Sequence, residues 1–471
     1  MGSFVPTAED YMPTFKTPWI ETPLVESAAL SRAAGCRIFL KLENVQPSGS
    51  FKSRAMGNQI LSHLHKPENA NRRVHFFASS GGNAGLAAVC AARSLGYPCT
   101  VVVPLSTKPL MIEKLRAAGA ADVIRHGETF FEAGSYMKEV IMQNSTGDDE
   151  DLVKIALHPF DNAPIWEGNS SIIDELEKQL PAPCSTEEED RYRGKALPLD
   201  AVLCSVGGGG LLNGLVMGLE KRRTQKQVVQ SGLSTTGHAY MDIAASETTP
   251  SRSATTEPSP IHLLAIETDG TDSLAAAIAH NSLVSLPKIT SQATSLGAIR
   301  VSETTFQYAV SPPPGIKVHS AVLTDAEAAR GVLRLADDER LLVELACGVC
   351  VEAAIGDTAV AAAEAASSAR AVAVKQGAKK RKLGSTETGS DRDEGYGDDR
   401  SVSTGNETDH EMEPEMDTSM KTSAPAFNSK LKQLVPDLNE QSRVVIIVCG
   451  GSNVTIDMAS EYRRLLSEGW V

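Results

Sequence analysis

Residues 74–104, VHFFASSGGNAGLAAVCAARSLGYPCTVVVP, contain a buried strand (VHFFASS), a helix opened by glycines (GGNAGLAAVCAARSLGY) and a second strand (PCTVVVP). Strand, helix, strand in so short a span is the pattern of a right-handed parallel crossover. The pattern continues downstream: KPLMIEKLRAAGA carries apolar residues at helical spacing and closes on glycine, and ADVIRHG with ETFFEAGSYMKEVIMQ repeats the unit. A second series begins at LDAVLCSVGGGGLLNGLVMGLE, continues through IHLLAIETDG and SLAAAIAH, and ends in SRVVIIVCGGSNVTIDMASEYRRLL. The expected fold class is α/β, with two doubly wound parallel-sheet lobes and the site in the crevice between them.

Composition agrees with that expectation. The chain has 471 residues, of which 41% are hydrophobic and only 5% aromatic. A chain rich in Ala, Val, Ile and Leu suits parallel sheets covered by helices. The net charge of −14 argues against nucleic acid as a main partner. The opening MGSFVPTAED lacks the basic and apolar regions of a signal peptide, and no apolar run is long enough to span a bilayer. Eight cysteines spread over this length do not form a disulfide framework, so a reducing, cytoplasmic setting is expected.

Three stretches look like insertions: 184–198 (CSTEEEDRYRGKALP), 223–260, rich in Ser and Thr, and 367–435. The last contains KQGAKKRK and then a tract from Ser385 to Met420 with twelve acidic and two basic residues. Such composition buries too little apolar surface to offset ordering entropy, and disorder is expected in all three. Apart from these, the expected organisation is a large cofactor-binding domain from 1–45 and 163–471, and a small substrate-binding domain from 46–162.

Chemistry-bearing motifs sit at the strand ends. In SVGGGGLLNG (Ser205–Gly214) four glycines separate an apolar strand from an apolar helix. A turn of that kind converges amides at a helix N-terminus and suits a phosphate. The spacing departs from the dinucleotide fingerprint and lacks a Walker lysine, so the phosphate is neither that of NAD nor that of ATP. SSGGNAG (Ser79–Gly85) is a second anion loop, with hydroxyls and exposed amides suited to a carboxylate. Lys52, in SGSFKSRAMGN (Ser48–Asn58), lies among small residues. Taken alone it reads as a surface charge. Beside a phosphate loop and a carboxylate loop it points instead to pyridoxal phosphate, which bonds a lysine through its aldehyde. The small residues around Lys52 then leave room for the cofactor ring.

On these and further motifs the chain resembles the fold-type II pyridoxal-phosphate enzymes (tryptophan synthase β-like), and within them the eukaryotic L-serine dehydratases. The resemblance rests on TPL (22–24), KLENVQPSGSFKSR, SSGGNAG, HPFDNAPIWEG (158–168), VGGGGLLNG, IETDGTDS, LPKITSQATSLGA, ELACGV and VCGGSN. It implies that Lys52 holds the cofactor covalently and later moves the substrate's α-proton. Phe51 would lie against the ring, Asn83 would bond its oxygen, and Phe160 would line the pocket. The amides of Gly207, Gly208, Gly209, Gly210 and Leu211 would hold the phosphate. Ser80, Gly81, Asn83 and Ala84 would receive the substrate carboxylate. Cys449 would face the pyridine nitrogen and leave it largely unprotonated, favouring β-elimination over transamination. Racemases of this fold place a serine where Gly81 stands, so racemisation should be weak. Glu267 and the carbonyls of Thr271, Leu296 and Ala298 match the family's monovalent-cation site, with potassium the expected ion.

The resemblance therefore implies a lyase converting L-serine to pyruvate and ammonia, with slower conversion of L-threonine to 2-oxobutanoate. The expected roles are amino-acid catabolism and gluconeogenesis, and the expected assembly is a homodimer. A threonine-preferring dehydratase, a β-replacement synthase and a racemase are the alternatives. Two features depart from the family pattern: ELACGV lacks the usual proline, and the insertions are long. With no effector domain after Val471, feedback inhibition by isoleucine is not expected. Cys347 and Cys350 form a CxxC without a second pair and are expected to be structural, and His158 is expected at the pocket edge.

Overall fold

The apolar runs and glycine-marked helix ends of the sequence become alternating strands and helices in the computed structural model, which describes residues 14–143, 151–233, 259–357 and 429–470. The strands are β1 (Leu24–Glu26), β2 (Arg37–Lys41), β3 (Arg73–Ala78), β4 (Cys99–Val103), β5 (Asp122–Arg125), β6 (Leu152–Leu157), β7 (Ala201–Ser205), β8 (Ile261–Thr268), β9 (Ile316–Leu323) and β10 (Arg443–Ile447). The first helices are α1 (Ala28–Ala34), α2 (Lys52–Leu64), α3 (Asn83–Ser94), α4 (Pro109–Ala118), α5 (Phe130–Tyr136) and α6 (Ala163–Gln179). They are followed by α7 (Thr186–Tyr192), α8 (Gly210–Leu233), α9 (Ser273–Ala279), α10 (Glu303–Val310), α11 (Asp325–Glu339) and α12 (Leu345–Ile355). Two further helices, Lys430–Leu434 and Ile456–Ser467, flank β10.

Two sheets result, both in one compact unit. The smaller has the order β5-β4-β3-β6 and is parallel throughout. The larger has the order β1-β2-β10-β7-β8-β9 and is parallel except at β1, which runs antiparallel along the edge of β2. Strands β4, β7 and β10 are buried at every position, as continuous Val/Ile/Leu runs covered on both faces require. The core of the larger sheet takes in Ile38, Val202, Leu264 and Ile446, that of the smaller Phe76, Val101 and Leu115. Among the described residues no helix is long and apolar enough to cross a membrane.

All three expected insertions need correction in part. Residues 184–198 are not irregular: Ser185 caps α7 by accepting from Glu188 N at 3.2 Å. Glu187, Glu188 and Glu189 fall in the first turn, where the helix dipole favours negative charge. Its Glu188 carboxylate meets Arg443 of β10 at 3.0 Å, and Tyr192 is buried with its hydroxyl donating to Asp200 at 3.0 Å. Ordering here comes from partners far along the chain, which local composition does not reveal. The stretch 223–260 also begins inside α8, which continues to Leu233, and its last residues enter β8 at Ile261. The stretch 234–258 lies outside the described residues, as does 367–428. The end of the third insertion is folded, with Ser429 capping helix Lys430–Leu434 and Leu431 buried.

Candidate active site

Lys52 opens α2 at the C-terminal side of the larger sheet. The turn before it is stitched to the end of β10: Ser50 bridges Gly450, and Phe51 N donates to the Cys449 carbonyl at 3.2 Å. Lys52 and Cys449, separated by almost the whole chain, therefore stand at one place. Lys52 is half-buried, and its Nζ donates to the Pro159 carbonyl at 3.1 Å. Among the described residues it forms no ion pair, while Nζ lies 5.0 Å from the Phe51 ring centre. Burial disfavours the ammonium and lowers its pKa to about 8. A lysine so placed is a nucleophile near neutral pH.

Pro159 belongs to the segment that carries Phe160. His158 Nδ1 accepts from Asp161 N at 2.8 Å and from Phe160 N at 3.3 Å, which turns the chain. Asn162 then caps α6, accepting from Ile165 N at 3.1 Å, and Trp166 Nε1 donates to the Phe160 carbonyl at 3.1 Å. Phe160 is thereby laid on the tetraglycine turn, so closely that a Cβ on Gly208 would fall 2.2 Å from its ring. Gly209 has φ +93° and lies against Thr305, whose Oγ1 is 1.8 Å from where a Cβ would stand. Thr305 is in turn locked by a 2.8 Å bond to Asn213 of α8. The first amides of α8 have no acceptor within the helix, and with the dipole of a long helix they make a geometry that could hold an anion.

Asn83 begins α3 in the Ser79–Gly85 loop and bonds across to the larger-sheet side. Its Nδ2 donates to Glu344 at 3.0 Å and to Ser295 at 3.3 Å, while its Oδ1 accepts from Ser452 N at 2.9 Å. Ser80 Oγ accepts from Gly82 N at 3.4 Å, and Gly81 and Ala84 are buried beside it. Glu344, the N-cap of α12, was singled out only as a letter in ELACGV, yet it also accepts from Asn453 N at 2.6 Å and from Ser295 Oγ. Ser205, at the end of β7, lies 3.5 Å from the Cys449 thiol. Burial pushes that thiol up to about 11, so it stays neutral. Sequence reasoning missed Ser205 and Glu344 as site residues; their only signal was position, one just before the glycines and the other just before ACG.

The residues named for a cation are placed differently. Both carboxylate oxygens of Glu267 accept backbone N–H groups of α9, from Leu274 at 2.8 Å and Ala275 at 2.9 Å. Burial still raises its pKa to about 8. Thr271 Oγ1 donates to the Thr268 carbonyl at 3.0 Å, and the Leu296 carbonyl accepts from Ala298 N at 2.7 Å. Among the described residues no three His, Cys, Asp or Glu side chains are grouped to hold a metal. Cys347 and Cys350 are buried free thiols on α12.

The donor set fits pyridoxal phosphate: a depressed-pKa lysine without a carboxylate partner, an aromatic ring over a glycine cradle that side chains would fill, and a neutral thiol at the third corner. Comparison with known proteins agrees. The family model described as "Pyridoxal-phosphate dependent enzyme" matches residues 16–377. An L-serine dehydratase of Saccharomyces cerevisiae is 36% identical over 335 residues, covering 70% of this chain and 84% of the yeast protein. An L-serine dehydratase/L-threonine deaminase of Mus musculus is 37% identical over 335 residues, covering 71% and 82%. Among solved structures, a fungal L-serine ammonia-lyase from Rhizomucor miehei superposes with a TM-score of 0.61 at 23% identity, covering 95% of this chain and 99% of that one. That likeness establishes the shared α/β fold, and the family match establishes the lineage: the chain belongs to the pyridoxal-phosphate dependent enzymes.

Proposed function

We propose that the protein is an L-serine dehydratase, eliminating water from L-serine to give pyruvate and ammonia and acting more slowly on L-threonine to give 2-oxobutanoate. The observation that carries this reading is the neutral Ser205–Cys449 pair beside Lys52, where a carboxylate would instead protonate a pyridine nitrogen. The names of the yeast and mouse relatives support it. When bound, the cofactor withdraws electrons from the substrate's α-carbon and makes its proton acidic. Lys52, whose pKa burial lowers to about 8 so that about half is neutral at that pH, takes that proton. The Ser80–Ala84 loop, within a small substrate-binding domain of residues 46–162, holds the carboxylate and orients the Cα–H toward Lys52. The amides from Gly207 to Leu211 hold the phosphate, with Phe160 closing over them. Asn83 ties the substrate loop to Glu344 and Ser452, so that binding of substrate brings the two anion loops to bear on one molecule. Gly81 offers no hydroxyl to the opposite face, which keeps racemisation low.

Pyruvate and 2-oxobutanoate assays on both amino acids test the reading. L-Serine should show the larger kcat/KM. Faster formation of cysteine from O-acetylserine and sulfide would replace it with a β-replacement synthase. The cradle carries its own prediction: Gly209→Ala forces a left-handed alanine into Thr305 and should weaken pyridoxal phosphate binding by about tenfold or more, read by titrating the cofactor-free protein.

We further propose a cytoplasmic homodimer acting in amino-acid catabolism and gluconeogenesis, with potassium held near Glu267. Eight free thiols support the reducing compartment. The potassium ligands would be Glu267 and the carbonyls of Thr271, Leu296 and Ala298; burial of Glu267 and Thr271 and the all-oxygen character of the set support a hard monovalent ion. Activity that is the same in potassium and in tetramethylammonium buffers would remove the ion from this account, and a monomer in sedimentation would remove the dimer.

A further inference from the structure

The loop between β4 and α4 carries one side chain that the reading above leaves unused. Thr107 Oγ1 is shielded from solvent and, among the described residues, has no hydrogen-bond partner. The loop that carries it is ordered: Thr107 N donates to the Pro104 carbonyl at 3.1 Å, and α4 begins two residues later with Pro109. Thr107 leans on the substrate loop. A Cβ on Gly81 would stand 2.6 Å from its Cγ2 and 2.7 Å from its Oγ1. The side chain of Thr107 thus occupies the space a side chain at position 81 would need. Both residues lie at the C-terminal ends of neighbouring parallel strands, β3 and β4, where α/β sheets bind ligands. A buried hydroxyl without a partner is costly and is found where a ligand or water completes it.

We propose that Thr107 Oγ1–H donates a hydrogen bond to the carboxylate of the amino-acid substrate on the Ser80–Ala84 loop, and that its methyl group holds position 81 to glycine. Thr107 is then a substrate-binding residue from a second loop of the smaller sheet. It also explains in steric terms why no acid-base side chain reaches the substrate from position 81. The inference rests on the reading of that loop as the carboxylate site.

The test uses holoenzyme and glycine, an amino acid with no β-leaving group, whose binding is followed by the change in the cofactor's absorbance. Thr107→Val keeps the shape and removes the donor. It should weaken glycine binding by about tenfold, the loss of one hydrogen bond to a charged group, and raise KM for L-serine by a larger factor than it lowers kcat. Thr107→Ser restores the donor and should bind glycine within about threefold of the unaltered protein. Thr107→Val binding glycine as tightly as the unaltered protein overturns the inference. So does Thr107→Ser binding as weakly as Thr107→Val, because the hydroxyl would then not be the group that matters. If the unaltered holoenzyme neither responds to glycine nor forms pyruvate from serine, the proposed function itself fails. A normal response in the unaltered protein with an unaffected valine variant removes only the role of Thr107.

Discussion

Lys52→Ala is expected to lower pyruvate formation from L-serine by about a thousandfold or more. On the proposed function the substitution would remove the covalent anchor of the cofactor and the base that takes the α-proton, and no described neighbour can replace it. The Pro159 carbonyl beside Nζ accepts no proton, and the Cys449 thiol, held near 11, carries too little thiolate at neutral pH. Cofactor absorbance should also lose its lysine-bound band even when phosphate-loop binding persists. The pKa of Lys52 sets a pH dependence that can be measured before any turnover. An ordinary lysine titrates near ~10.4, so its neutral fraction is minute at pH 7. In this fold the value is lowered to about 8, so the neutral amine is half-populated there and falls about tenfold per unit below it. Loading of the cofactor-free protein should therefore speed up steeply from pH 6 to 8 and level off above. A rate that keeps climbing toward pH 10 would place Lys52 in solvent, and wild-type turnover in Lys52→Ala would assign the base elsewhere.

The second large effect concerns stability. Arg54, two residues after Lys52, is fully buried and grips two carboxylates. Its Nε and Nη2 each bond Glu43 at 2.8 Å, and Nη1 and Nη2 bond Glu175 at 2.5 and 2.8 Å. Lys41 completes the cluster, donating to Glu175 at 2.5 Å and to the Thr22 carbonyl at 2.7 Å. Two cations thus face two anions, tying α2, β2 and α6 beneath the reactive lysine. Arg54→Ala leaves Glu43 charged and without its main partner in the interior. The expected loss is about 3–5 kcal/mol, the cost of breaking a buried pair from one side. Calorimetric melting should fall by about 4 °C, because the unfolding entropy of so long a chain is large. Because the penalty comes from the stranded charge, adding Glu43→Gln to the Arg54→Ala protein should recover about 1 kcal/mol or more. A double variant no more stable than the single one would mean that packing, not charge, carries the loss.

Much of this architecture was legible from short windows. The crossover at 74–104 folds as β3, α3 and β4, because a strand buried on both faces is a run of apolar residues and a helix start is marked by its glycines. The tetraglycine turn was legible for a similar reason: only glycine adopts +93° against Thr305 and lets Phe160 approach. Other elements were not. The antiparallel edge strand β1 is three residues long and owes its existence to pairing with β2. Helix α7 owes its order to Arg443, 255 residues away.

The sequence by itself determined the α/β class and the two glycine-rich turns at strand ends, because each depends on backbone freedom or on apolar patterning within a short window; the roles of Lys52 and Cys449 came from the family resemblance and are part of the proposed function. Only the tertiary structure decided what surrounds them. Asn83 meets Glu344 across 261 residues, Ser205 meets Cys449 across 244, and Thr107 meets Gly81 through two loops of one sheet. Such partners come together through strand order and packing. A hydrogen bond or a steric contact depends on distance in space, which no local pattern along the chain encodes.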